Sequence, residues 1–187
     1  MISLPREMPV HTIPVPRLET ERLILRGPEG RDFPAVYAFM SDAERTKYIG
    51  GPADNEFVAW QRFIGTIGHW IWLGYGFWML EEKATGEAVG RVGLLNHLGW
   101  PEPEIGWHAF AAGEGRGLVR EAAEVIRAYG ATAFGLDRLI SQIHPENHRS
   151  RALAERLGAV VERETELLGS PCLIYRHPSV QKGQTVG

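Results

Sequence analysis

Apolar residues change their spacing several times along this chain, and each change marks an element. Arg22-Leu23-Ile24-Leu25-Arg26 is short and β-prone, and ordered structure is expected to begin there. Asp32 stands where an N-cap belongs, with Pro34 in the first turn and Phe33, Val36, Tyr37 and Met40 at helical spacing. A second helix follows Asp54, with Phe57, Trp60, Phe63, Ile64 and Ile67 on its apolar face. A hairpin comes next: residues 76–81 outward, Lys83-Ala84-Thr85-Gly86 as the turn, residues 87–95 back. Asn96 to Pro103 is a loop and residues 104–110 a fourth strand.

After Gly113 the period turns helical, with Leu118, Ala122, Val125, Ile126 and Tyr129 on one face. Residues 139–143 form a buried strand stopped by Pro145, and residues 147–157 a short helix closed by Gly158. Residues 160–168 and 172–176 finish as two strands. This order predicts an α/β fold with helices layered on a mixed sheet. No repeat or linker interrupts residues 18–177, which are expected to form one domain. Residues 1–17, with Pro5, Pro9, Pro14 and Pro16, are read as an extended arm, and the polar residues 178–187 as a flexible tail.

Composition narrows the partners. The 187 residues are 44% apolar and 23% charged, with a net charge of -3, so nucleic acid is not the expected partner. The prolines of the arm break any signal-peptide core. The longest apolar stretch, Trp70 to Leu80, is about half the ~20 residues a spanning helix needs, so a cytoplasmic protein without a membrane partner is expected. The single cysteine, Cys172, reads as a buried thiol rather than a nucleophile. His144 and His148 stand at i,i+4, but Pro145 lies between them at a helix entry, so no metal is expected. No G-x-S-x-G elbow is present.

The chemistry concentrates at Glu114-Gly115-Arg116-Gly117-Leu118-Val119, a glycine turn between a strand and a helix. Such a turn aims unpaired first-turn amides and the positive end of the helix dipole at one spot, where a phosphate group binds. A Walker A loop needs Lys-Ser or Lys-Thr after the last glycine, and neither follows Gly117. A dinucleotide fingerprint needs a third glycine where Leu118 stands.

The run EIGWHAFAAGEGRGLVREAAEVI, followed by LISQIHPENHRSRALAERLGAVVE, closely resembles the GNAT superfamily of N-acetyltransferases. It is most similar to the branch holding the ribosomal-protein N-terminal acetyltransferases. The likeness runs from LETERLILR through TGEAVGRVGLLN to YRHP. It implies a mostly antiparallel sheet of six to seven strands splayed between strands 4 and 5, flanked by about four helices.

The resemblance implies acetyl-CoA as co-substrate and direct attack by a primary amine on the thioester. The pantetheine arm would lie along the fourth strand at Trp107 to Ala109, and the pyrophosphate on the Glu114 to Val119 loop, with Arg116 as a phosphate partner. Glu104 is the expected general base, Glu102 its rival. Ala154 stands where many members carry a tyrosine donor, which leaves Ser150 of the Asn-x-x-Ser motif to meet the thiolate and Asn147 to bridge turn and pantetheine. Two departures bear on affinity: Glu114 brings a negative charge to the loop, and Val119 replaces a small residue, narrowing the approach to the amides. His108 is either a group that tunes the amine or simply a strand residue. The acceptor, a protein N-terminus or a small-molecule amine, is expected among Tyr48, Trp60, Trp70, Trp72 and the Asn96–Pro103 loop. A non-catalytic acyl-CoA-binding module is the alternative, and the resemblance admits a homodimer.

Overall fold

The computed structural model describes residues 14–180; most of the arm and the last seven residues of the tail lie outside them. Its eight strands are β1 (Leu18–Glu19), β2 (Leu23–Arg26), β3 (Phe77–Glu82), β4 (Ala88–Leu95), β5 (Glu104–Ala109), β6 (Ile140–Ile143), β7 (Val160–Leu167) and β8 (Ser170–Arg176). They form one sheet in the order β1-β2-β3-β4-β5-β6-β8-β7. Neighbours are antiparallel except β5 and β6, which are parallel. The described helices are α1 (Phe33–Met40), α2 (Ala43–Thr46), α3 (Glu56–Leu73), α4 (Leu118–Ala133) and α5 (His148–Arg156). Two elements escape the sequence pattern, β1 and α2. With two and four residues, neither is long enough to show a period.

One cap assignment needs correction. Asp32 makes no cap hydrogen bond to α1; its carboxylate accepts from the Glu29 amide (2.7 Å) and from two nitrogens of buried Arg26 (2.7 and 2.8 Å). It closes the preceding 3-10 turn instead. The helix expected after Asp54 is α3, capped by Asn55, whose Oδ1 accepts from the Val58 amide at 3.0 Å. Gly74, at φ 76°, ends α3 in the left-handed conformation that glycine adopts without a Cβ clash.

The pleat divides the side chains between two layers. Trp78, Leu80, Val92, Leu94 and Ile105 face one side and pack with Leu118, Ala122 and Ile126 of α4. On the other side Met79 packs with Phe33, Val36 and Phe39 of α1 and Ala59 and Phe63 of α3. The end of the arm is fixed to the sheet: Trp78 Nε1 donates to the Pro16 carbonyl at 2.7 Å, and Val15 packs against the α4 core. No helix among the described residues is long and apolar enough to cross a membrane.

Candidate active site

The expected splay falls between β5 and β6, because β1 advances the strand count by one. The two strands pair at Glu104 and Ile140 alone. The Ile140 amide donates to the Pro103 carbonyl at 3.3 Å, and buried Ser141 Oγ donates to the Ile105 carbonyl at 2.7 Å. Beyond this point the Trp107 side chain enters the gap, touching both the α4 core and the cluster of Ile143, Ala154 and Tyr175. The edge of β5 turned away from β4 therefore has no strand beside it from Ile105 to Ala109. A cavity of about 840 Å³ opens here, with Tyr48, Arg91, Glu104, His108, Gln142 and Ser150 among its walls.

Glu104 lies at the mouth of the splay and is 7% exposed. The main-chain and side-chain nitrogens of Gln142 donate to its Oε2 at 3.3 and 3.1 Å. Burial outweighs those bonds and pushes the carboxyl up to about 8. A carboxyl so placed exchanges its proton near neutral pH, as a general base must. Its other oxygen leans over Gly106, 3.3 Å from where a Cβ would stand. The rival Glu102 is engaged elsewhere: Arg176 grips both of its oxygens at 2.7 Å, holding it below the usual carboxylate range. Glu102 is absent from the cavity wall.

The glycine loop presents the start of α4. Gly115 and Gly117 are exposed at φ 73° and 75°, and Gly117 caps α4 without any side-chain bond to the first-turn amides. Gly113 passes so near β4 that a Cβ there would stand 2.2 Å from the Val89 carbonyl oxygen. Three expectations change. Val119 does not narrow the approach, because its side chain, 7% exposed, turns into the core. Arg116 is committed to Glu82 and to the Ala112 carbonyl rather than free for a phosphate. Glu114 is neither bare nor solvated, but lies between Arg45 of α2 and Arg149 of α5. The loop is not part of the cavity wall. It joins the end of β5 through Arg45, which also donates to the Ala109 carbonyl at 3.4 Å.

The N-terminus of α5 supplies the remaining groups. Asn147 Oδ1 accepts from the Ser150 amide at 3.2 Å, the bond of an N-cap. Ser150 Oγ accepts from Trp107 Nε1 at 3.4 Å, so its own proton is left for another acceptor. Ala154 is wholly buried.

Comparison with known proteins decides what this geometry belongs to. A family model described as "Acetyltransferase (GNAT) domain" matches residues 22–160. The chain belongs to the GNAT acetyltransferase family. An acetyltransferase structure from Agrobacterium tumefaciens is 34% identical, with a TM-score of 0.79 over 92% of this chain and 99% of that one. The uncharacterized N-acetyltransferase YoaA of Bacillus subtilis is 29% identical over 76% of this chain and 82% of its own length. RimL, a ribosomal L7/L12 alpha-N-protein acetyltransferase solved with coenzyme A, shares the fold with a TM-score of 0.69 at 16% identity, over 86% of this chain and 96% of that one.

Within this GNAT fold the expected acceptor wall is partly displaced. Tyr48 lines the cavity, stacked on His144 at 4.8 Å, and the 96–103 loop contributes His97 and Trp100. The three tryptophans do not line it. Trp60 packs edge-on against Phe33 at 4.9 Å, and Trp70 lies under β3 with Nε1 donating to the Phe77 carbonyl. Trp72 is 87% exposed. Cys172 is buried as expected, yet it touches the cavity, and burial with nearby Glu104 pushes its thiol up. Arg91 escaped the sequence reading. It is a single charge inside the apolar strand Ala88–Leu95, and that break in the pattern was its visible signal.

Proposed function

We propose that this protein transfers an acetyl group from acetyl-CoA to a primary amine by direct attack. The observation that carries the reading is the buried carboxyl of Glu104, at the one place where β5 and β6 still pair and inside the cavity that the parted strands open. The unpaired edge of β5 at Trp107 and Ala109 suits the amide-bearing pantetheine arm as an added strand. The exposed loop Gly115-Arg116-Gly117, leading into the first turn of α4 at Leu118 and Val119, suits the pyrophosphate. The RimL complex, which holds coenzyme A on the same fold, supports CoA as the acyl carrier.

In the reaction the acceptor arrives as an ammonium, and ionised Glu104 takes a proton from it directly or through one water. The amine nitrogen then bonds to the thioester carbonyl carbon, whose oxygen is polarised by a backbone N–H. The carbon–sulfur bond breaks, the second proton of the nitrogen passes through water to the departing thiolate, which the Ser150 hydroxyl hydrogen-bonds, and Glu104 returns its proton to solvent. Asn147 holds Ser150 in place by capping α5.

Buried Ala154 leaves no hydroxyl at the family's tyrosine position, which favours the second reading, an acyl-CoA-binding module without turnover. A thiol-release assay with acetyl-CoA over a panel of primary amines separates the two. The proposal expects amine-dependent release of CoA with the matching acetamide in the mass spectrum. Tight CoA binding without release on any amine would establish the module instead.

A further inference from the structure

Resting on that reading, we infer that the acceptor carries a carboxylate and that Arg91 binds it. Arg91 lines the cavity, is 3% exposed, and has no carboxylate partner among the described residues. Its Nε donates to His108 Nδ1 at 2.8 Å, and its guanidinium lies 4.6 Å from the centre of the Phe77 ring. Its Nη1 is buried with no hydrogen-bond partner among the described residues.

A buried cation without a counter-ion is costly unless something brings the opposite charge. His108 does not bring it. Its Nδ1 accepts a proton bond, so the ring is neutral, and burial together with the Arg91 charge holds it well below the usual histidine range. Phe39 stacks on that ring at 4.6 Å and keeps it in place. Burial pulls Arg91 down to about 10, which still leaves it charged at neutral pH. A planar guanidinium with free N–H groups matches a carboxylate in shape as well as sign.

The position fits an acceptor rather than the cofactor. Arg91 pairs with His108 across the β4–β5 ladder, and Leu95 with Glu104, so the arginine and the glutamate share one face of the sheet. That face is opposite the one on which α4 packs. Between His108 and Glu104 stands Gly106, whose missing side chain leaves an open bed. The Cα atoms of Glu104 and His108 are about 13 Å apart by strand geometry. Glu104 already leans over Gly106, which shortens the span. An amine at Glu104 and a carboxylate at Arg91 are therefore the two ends of one small molecule.

The test uses a homologous series of ω-amino acids beside their carboxamides, which have the same shape without the charge. Binding to the CoA-loaded protein is followed by calorimetry, and acetylation by thiol release. We expect one chain length to bind roughly tenfold to a hundredfold more tightly as the acid than as the amide. That preference is lost in Arg91→Gln and partly kept in Arg91→Lys, with CoA affinity unchanged in both. Equal affinities for acid and amide in the wild-type protein overturn the inference whether or not the variants fold. A preference that survives Arg91→Gln also overturns it. If the acid binds preferentially through Arg91 and no amine is acetylated, the carboxylate site stands and the acetyl-transfer reading fails.

Discussion

Glu104 and Gly117 show how little chemistry a single residue needs when its surroundings are arranged. Nothing intrinsic to a glutamate places its proton near neutral pH; the loss of water around Glu104 does so, against two opposing bonds from Gln142. Gly117 contributes by absence, holding φ 75° at the head of α4 with no Cβ over the first-turn amides. Gly117→Val adds strain of about 1–2 kcal/mol and crowds those amides. It is expected to weaken CoA binding about tenfold or more in calorimetry, while circular dichroism stays native. Undiminished affinity would remove the loop from the binding site. At this scale the sequence was readable where a residue sits in a local motif, as Glu104 and Ser150 do, both of which reach the cavity wall. It was silent where the partner is remote. Arg116 is neutralised by Glu82 on the β3–β4 hairpin and Glu114 by arginines of α2 and α5, pairings that no local spacing announces.

Elements carry the site by where they stop and how closely they approach. Helical periodicity showed that one face of α3 is apolar, but not which neighbour covers each turn. Trp60 and Trp70 went into packing while Trp72 stayed in solvent, and none reached the acceptor wall. Register was more legible. The strand from Glu104 has its predicted beginning, and Gly158, at φ 80°, closes the α5 segment as expected. The turn into the glycine loop depends on Gly113 lying against β4. Gly113→Ala forces a Cβ onto the Val89 carbonyl, a backbone clash expected to destabilise the fold by about 3 kcal/mol or more. Gly115→Ala, with nothing within 4 Å of its added Cβ, costs only the strain of its φ of 73°, about 1–2 kcal/mol. Urea midpoints compare the two. A Gly113 variant no less stable than the Gly115 variant would refute the proposed close approach.

For the whole molecule, burying Glu104 links the proposed base to stability. In the folded state its carboxyl titrates at about 8, against an ordinary value of 4.5. Between those values the folded protein holds a proton that the unfolded chain has released, so stability falls as pH rises through that window. Buried His177, pushed down to about 3, acts in the opposite sense up to about 6.5, so the informative quantity is the difference from Glu104→Gln. Thermal unfolding should show wild type losing ground to Glu104→Gln steadily from about pH 4.5 to 8, by up to a few kcal/mol. Parallel curves would mean that Glu104 is solvated. The parting of β5 from β6 was expected from the resemblance and is present one strand later. The contact of Trp107 with the cores on both sides of that parting became visible only in the assembled fold.

The account turns on one proton, and the pH dependence of kcat/KM in wild type and Glu104→Gln follows it most directly. With an alkylamine acceptor, wild type should rise as Glu104 ionises near pH 8 and level off above it. Glu104→Gln should be about 10²-fold or more slower and should climb without a break toward the pKa of the amine. Superimposable profiles for the two proteins would contradict the assignment of Glu104 as the base.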